Sequence, residues 1–235
     1  MLKSIKSLSF LSLFLIFTNA QANIIIDTSL WTLAESPARG GSQGITSANG
    51  NQAIQNNNAN GALISDFIFD GDFVFSGFMT PTSDLFDDDD ILGVVFGWQD
   101  ERNHYRLGWE QGGLNDRGDR GDGRFSVSSG LFLVKEVDGV SSTLFEQELF
   151  WQDDVNYRFN VARSGEEISF SLGGVEQSFT DNSFTAGHVG FYTESQTARF
   201  SSLAGRPNSA EIPEPDTLAL LGLVLLGVAV RKSRR

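Results

Sequence analysis

The chain has 235 residues, is 40% hydrophobic with 20 Phe and 4 Trp, and contains no cysteine. That suffices for one ordinary domain with a real core plus processing segments, and it excludes a disulfide framework. Between Asn23 and Ala210 stand 11 basic and 27 acidic residues, a net of −16; this excludes DNA, RNA and anionic lipid as partners, since they require a basic footprint.

In chain order, Met1 to Ala22 comes first, with Lys3 and Lys6, an apolar core from Leu8 to Phe17, and Asn19-Ala20-Gln21-Ala22. These features predict a secretory signal peptide, removed by signal peptidase after Ala22. The body opens on Ile24-Ile25-Ile26, a predicted strand, followed by Ser29 to Leu33. Pro37 to Gly61 is rich in Gly, Asn, Ser and Gln and reads as loops around short strands at Gly44 to Thr46 and Gln52 to Ile54. Ala62 to Ile68 and Asp72 to Met79 follow, the second alternating as Phe73, Phe75, Gly77, Met79, the mark of a sheet with one buried side.

The most informative stretch runs from Asp87 to Gln111. Four carboxylates, Asp87 to Asp90, lead into an apolar run from Ile91 to Trp98, a polar turn, and a second aromatic-rich run from Tyr105 to Trp109. Two β-rich runs about a turn predict a hairpin. Adjacent like charges need solvent or a cation to offset their repulsion, and a charged edge that blunts strand pairing is the other reading of the quartet.

After a polar loop from Gly112 to Gly123, strands are predicted at Phe125 to Val137, Leu144 to Trp151, Tyr157 to Val161, Ile168 to Leu172, Val175 to Phe179, Val189 to Thr193 and Ala198 to Leu203. Asp-Gly, Ser-Gly and Gly-Gly turns separate several of them. About a dozen strands with turns every eight to twelve residues, and no amphipathic helix, predict an all-β sandwich or jelly roll. The domain is assigned residues 23–205, with a linker at 206–211.

The end of the chain, 212–235, is of another kind. Ile212-Pro213-Glu214-Pro215 precedes thirteen uncharged residues, Leu218 to Val230, and then Arg231-Lys232-Ser233-Arg234-Arg235. As a helix the apolar segment covers about 20 Å, short of the roughly 30 Å hydrocarbon core, with its basic end cytoplasmic and the body outside. The order Pro-Glu-Pro, apolar helix, basic tail resembles the PEP-CTERM sorting signal of Gram-negative bacteria. The resemblance implies transient insertion in the inner membrane, recognition by an exosortase, cleavage near Pro213, Glu214 and Pro215, and delivery to the envelope or extracellular matrix. Proteins with such tails are associated with exopolysaccharide and biofilm.

The body carries a resemblance of its own. Asp88-Asp89-Asp90, Gly93 to Gln99 and Trp109-Glu110-Gln111 are similar to the Asp run, Gly-x-Val-Phe-Gly-Trp-Gln strand and Trp-x-Gln strand of the thrombospondin C-terminal lectin-like domain. Ala186 to Tyr192 and Phe200-Ser201-Ser202-Leu203 resemble the closing strands of laminin-G-like jelly rolls, and Asn60 to Ser65 fits the wider concanavalin-A-like superfamily. This implies a concanavalin-A-like jelly-roll β-sandwich, Ca2+ held by Asp88, Asp89 and Asp90, and a binding role, possible polysaccharide recognition included. The thrombospondin calcium-repeat stalk is missing here.

Further candidates are weaker in pattern. Asp87 adjoins the predicted calcium ligands, and Asp116, Asp119 and Asp122 recur at every third position of the polar loop, without the spacing of an EF-hand. Two Arg-Gly-Asp triplets in that loop read as a self-paired acid and base segment. Glu146 and Glu148 resemble the paired carboxylates of laminarinase-type jelly rolls, yet the further acidic residue is replaced by Leu149, Phe150 and Trp151. His104 and His188 stand outside any metal pattern and read as strand residues. Trp98, Tyr105, Trp109, Trp151 and Tyr157 could stack on sugar rings, but their apolar surroundings assign most of them to the core. The expectation is therefore an exported, calcium-braced lectin-like module of the envelope, with a glycoside hydrolase-like enzyme acting on extracellular glycan as the alternative.

Overall fold

The computed structural model describes residues 24–37, 40–83, 90–111 and 130–207. The leader with Ala22, Asp87 to Asp89, the loop with Asp116, Asp119 and Asp122, and the sorting segment with Pro213, Glu214 and Pro215 lie outside the described residues. One turn of 3-10 helix, Thr28–Leu30, precedes the strands. In chain order these are β1 (Thr32–Ala34), β2 (Ile45–Ser47), β3 (Gln52–Gln55), β4 (Gly61–Ile64), β5 (Phe69–Asp70), β6 (Phe73–Pro81), β7 (Ile91–Asp100) and β8 (Asn103–Glu110). There follow β9 (Leu131–Val137), β10 (Val140–Gln147), β11 (Tyr157–Ser164), β12 (Glu167–Leu172), β13 (Val175–Thr180), β14 (Ala186–Glu194) and β15 (Ala198–Pro207).

They form two antiparallel sheets. One has eight strands in the order β1-β4-β14-β7-β8-β9-β10, with β5 also pairing β14. The other has seven, β13-β12-β11-β6-β15-β3-β2. The predicted all-β sandwich is what the chain adopts.

Side-chain period distinguishes the two sheets. In β6 the buried positions alternate through Phe73, Phe75, Gly77 and Met79, and β12 buries Ile168, Phe170 and Leu172 between more exposed residues. Such strands have one face on the core and one in water. In the eight-stranded sheet β7 is buried at every position from Ile91 to Trp98, and β8 from His104 to Glu110. These central strands are withdrawn from solvent on both faces.

Turns fix the register. Asp138 (φ 52°) and Gly139 (φ 81°) adopt the paired left-handed conformations of a type I′ turn. This starts β10 at Val140, so the strand predicted from Leu144 to Trp151 lies earlier, over Val140–Gln147. Trp151 falls beyond it, buried, its indole N–H donating to the Trp109 carbonyl at 3.3 Å. Of the strand predicted at Phe125 to Val137, the described part is β9, from Leu131.

The core between the sheets is aromatic. Phe191 of β14 stacks on Phe200 of β15 (centroids 4.2 Å apart) and on Trp31 (5.5 Å), and also meets Phe75 and Phe159. At one end a polar latch joins the sheets. Asp181 accepts from the Tyr105 hydroxyl at 2.6 Å and from Lys135 Nζ at 2.5 Å, while buried Arg163 donates to the Asp181 carbonyl at 3.0 Å. Burial pushes the Asp181 carboxyl up, but hydrogen bonds from Lys135, Tyr105 and Ser183 outweigh it and hold it well below the usual carboxylate range. The Tyr105 hydroxyl, buried and facing that charge, is pushed up to about 12.

Candidate functional site

The outer face of the eight-stranded sheet points away from the seven-stranded one, yet it gathers aromatic and charged side chains. Strand parity places them there. β8 alternates His104, Arg106, Gly108 and Glu110 outward against Tyr105, Leu107 and Trp109 inward; β14 presents His188, Gly190, Tyr192 and Glu194; β9 presents Phe132, Val134 and Glu136. His104 stands directly opposite Glu136, and Gly93 of β7 opposite Gly108.

The glycine pair is the floor. A Cβ at Gly93 would meet the Tyr192 ring, and one at Gly108 would collide with both the Phe132 ring tip and the Tyr192 hydroxyl. The two rings therefore lie low over the backbone, as side chains do only where a strand glycine permits close approach. Around this aromatic floor stand Arg106, Glu110, Glu136 and Glu194, none more than 2% exposed in the 235-residue chain. Arg106 Nη1 donates to Glu136 Oε2 at 2.8 Å, and that oxygen also accepts from Ser141.

Among the described residues, three polar groups on this face have no hydrogen-bond partner: the Tyr192 hydroxyl, His104 Nε2 and His188 Nδ1. Burial raises the Tyr192 hydroxyl far above its ordinary range, with Arg106 opposing and Glu194 and Glu110 adding to the rise. The Tyr192 hydroxyl and the His104 ring are thus neutral groups buried among charged ones.

His104 carries a testable consequence. Burial, then the Arg106 charge, lowers its pKa to about 3, below the usual 6.5. The unfolded chain binds a proton below 6.5 that the folded chain refuses until about pH 3, so stability falls as pH drops through that window. Between pH 6.5 and 4.5 the wild-type chain is expected to lose on the order of 2–3 kcal/mol through this residue. Urea unfolding of His104→Gln at both pH values is the check, and a loss as large as in wild type would exclude the role.

Other sequence candidates are placed differently. Trp98 is on this face, stacked on His104 with centroids 5.0 Å apart, while Tyr105 and Trp109 point into the core. Glu146 lies exposed on the edge strand β10 opposite Phe132, and Glu148 falls past the strand's end, so the two do not continue one strand face. Of the predicted calcium ligands only Asp90 is described, 8% exposed just before β7. Among the described residues no three His, Cys, Asp or Glu side chains gather as a metal ion would require.

Sequence reasoning singled out none of Arg106, Glu110, Glu136, Tyr192 and Glu194 as a site. A signal existed: His104, Arg106 and Glu110 recur at even spacing inside an otherwise apolar strand, all on one side.

Comparison with known proteins agrees with this architecture. Residues 211–235 match the PEP-CTERM protein-sorting motif. No curated protein matches the sequence. Among solved structures, the chain is similar to the carbohydrate binding module CBM66 from Bacillus subtilis at 14% identity and a TM-score of 0.55, covering 76% of this chain and 96% of that one. It is also similar to a Bacillus subtilis protein of unknown function with galectin-like fold (11% identity, TM-score 0.50, 80% and 97% covered). A third is the CBM2 module of the evolved Dit of Lactobacillus casei phage J-1 (12%, 0.50, 77% and 93%). At such identities the likeness is one of fold. The chain thus shares the jelly-roll sandwich fold of those structures and carries a PEP-CTERM sorting motif, which marks it as an exported protein of the cell envelope.

Proposed function

We propose that the exported module binds polysaccharide through the outer face of its eight-stranded sheet, where Tyr192, Phe132, Arg106 and Glu136 are at most 1% exposed in the 235-residue chain, so that a glycan has to uncover them to reach them. The observation that carries this is the aromatic floor over Gly93 and Gly108, rimmed by Arg106 and three glutamates. Charged groups in such a place do little for the core, since a buried ion pair is commonly replaced by apolar side chains without loss of stability. A sugar ring offers an apolar face for the rings of Tyr192 and Phe132 and hydroxyls for the Tyr192 hydroxyl, which has no hydrogen-bond partner among the described residues. Among the similar structures stand a carbohydrate binding module, CBM66, and a CBM2 module, which supports the reading.

Processing belongs to the same proposal. Signal peptidase acts after Ala22, and an exosortase acts at Pro213 to Pro215 after the tail has paused in the inner membrane. The module then joins an exopolysaccharide or biofilm matrix. Calcium bracing by Asp88, Asp89 and Asp90, with Asp87 beside them, would stiffen the entry to β7. Millimolar calcium is expected to raise the melting temperature of the module, and Asp88→Asn/Asp90→Asn to abolish the rise; an unchanged melting curve would remove the ion from the account.

Residues 21–210 form a compact unit that contains both sheets and their shared core, so binding can be measured on that piece. In affinity electrophoresis through laminarin, dextran or alginate, the module is expected to be retarded by at least one neutral glucan. Arg106→Met/Glu136→Leu is expected to weaken that binding at least tenfold, about 1.4 kcal/mol. Retardation by none of a broad glycan panel would defeat the proposal, and release of reducing ends would transfer it to the hydrolase reading.

A further inference from the structure

The outer face of the seven-stranded sheet carries a trough of about 620 Å³ over β11, β12 and β13, continued by one of about 250 Å³ over β6, β11 and β15. Asn160 lines both. Register explains the shape. Glu176, Ser171, Asn160 and Ser76 are successive cross-strand partners on β13, β12, β11 and β6, and Ser178, Ser169, Ala162 and Val74 form the next row. At about 4.8 Å between strands, each row crosses roughly 14 Å of sheet. The floor is low because these outward positions hold mainly short side chains, where a solvent-facing sheet otherwise favours long or branched ones. Longer side chains form the ends: Glu167 and Glu176 at one, Arg158 and Arg206 at the other.

Two features point to a ligand. Ser76, Asn160, Ser169 and Ser171 are half-buried, and among the described residues none of their side chains has a hydrogen-bond partner. Their backbone groups are engaged in the ladder, so their donors and acceptors are directed into the trough. The lining is also charge-balanced, two arginines against two glutamates, on a body of net charge −16. Neither arginine is ion-paired among the described residues. A polyanion would meet the surrounding negative field. A neutral, hydroxyl-rich strand would not, and it matches a row of hydroxyl and amide groups.

We infer that this trough is a second polysaccharide surface, taking a neutral glycan strand laid across β13 to β6, so that one module bridges two strands. The inference rests on glycan binding at the opposite face, because bridging requires both. The two outer faces point in opposite directions across the sandwich, and the same strand cannot reach both without wrapping around an edge.

Titration calorimetry of residues 21–210 with short laminarin oligosaccharides, and turbidity with long laminarin, test it. Wild type is expected to show two sites per chain and to cross-link the polymer. Asn160→Ala/Ser171→Ala, whose melting temperature verifies folding, should retain one site and lose cross-linking. Ser171→Lys, which fills the trough from a solvent-facing position, should do the same. Arg106→Met/Glu136→Leu should also retain one site, the one in the trough. A single wild-type site that is unaffected by both trough variants and lost in Arg106→Met/Glu136→Leu overturns the bridge while the first surface stands. Two sites that both survive the trough variants also overturn it. No binding by the wild type defeats both surfaces together.

Discussion

Phe191→Ala is expected to destabilise the module by about 3–5 kcal/mol, the range for truncating a fully buried aromatic. The reason is its position. Phe191 is 0% exposed and lies between the sheets, stacked on Phe200 and Trp31 and in contact with Phe75 and Phe159. Those neighbours come from β15, the segment before β1, β6 and β11, so a cavity there has walls that cannot all relax inward. Aromatic pairs contribute about 0.5–1.5 kcal/mol beyond area alone, which places the effect toward the upper part of the range. Phe191→Leu should cost markedly less. Guanidinium unfolding of both variants gives the comparison, and equal losses would mean that the ring stack adds nothing to burial.

The second large effect concerns the Arg106–Glu136 pair. Arg106→Met leaves Glu136 buried without its cation and is expected to cost about 3–5 kcal/mol. The combined change Arg106→Met/Glu136→Leu removes both charges and should restore stability to within about 1 kcal/mol of wild type, or exceed it. Glycan binding should be lost in the single and double variants alike. Recovery of stability without recovery of binding separates the two roles, since it would show that the pair serves recognition at no benefit to the fold. Should the double variant remain as unstable as Arg106→Met, the pair would be structural and the argument from its cost would fail.

How far the sequence could be read depended on periodicity. Phe73, Phe75 and Met79 on β6, and Ile168, Phe170 and Leu172 on β12, alternate cleanly, so strand, buried face and turn were all legible there. The run from Ile91 to Trp98 does not alternate, which hid the fact that β7 has two buried faces. That concealed the site, because the outer face is built from partners far apart in sequence: Tyr192 over Gly93, Phe132 over Gly108, Glu136 against Arg106. Only the register of β7 and β8 sets the glycines at 93 and 108 side by side. The trough on the other sheet is equally a product of register, since Ser76 and Ser171 become neighbours of Asn160 only through β6, β11 and β12.

The most direct test of glycan recognition is a heteronuclear NMR titration of residues 21–210 with a laminarin oligosaccharide, using a short-chain dextran as comparison. The account predicts that the amides of Gly93, Arg106, Gly108, Phe132 and Tyr192 shift together, with one dissociation constant, and that Arg106→Met/Glu136→Leu abolishes those shifts. Binding whose perturbations spare all five of these amides would contradict it.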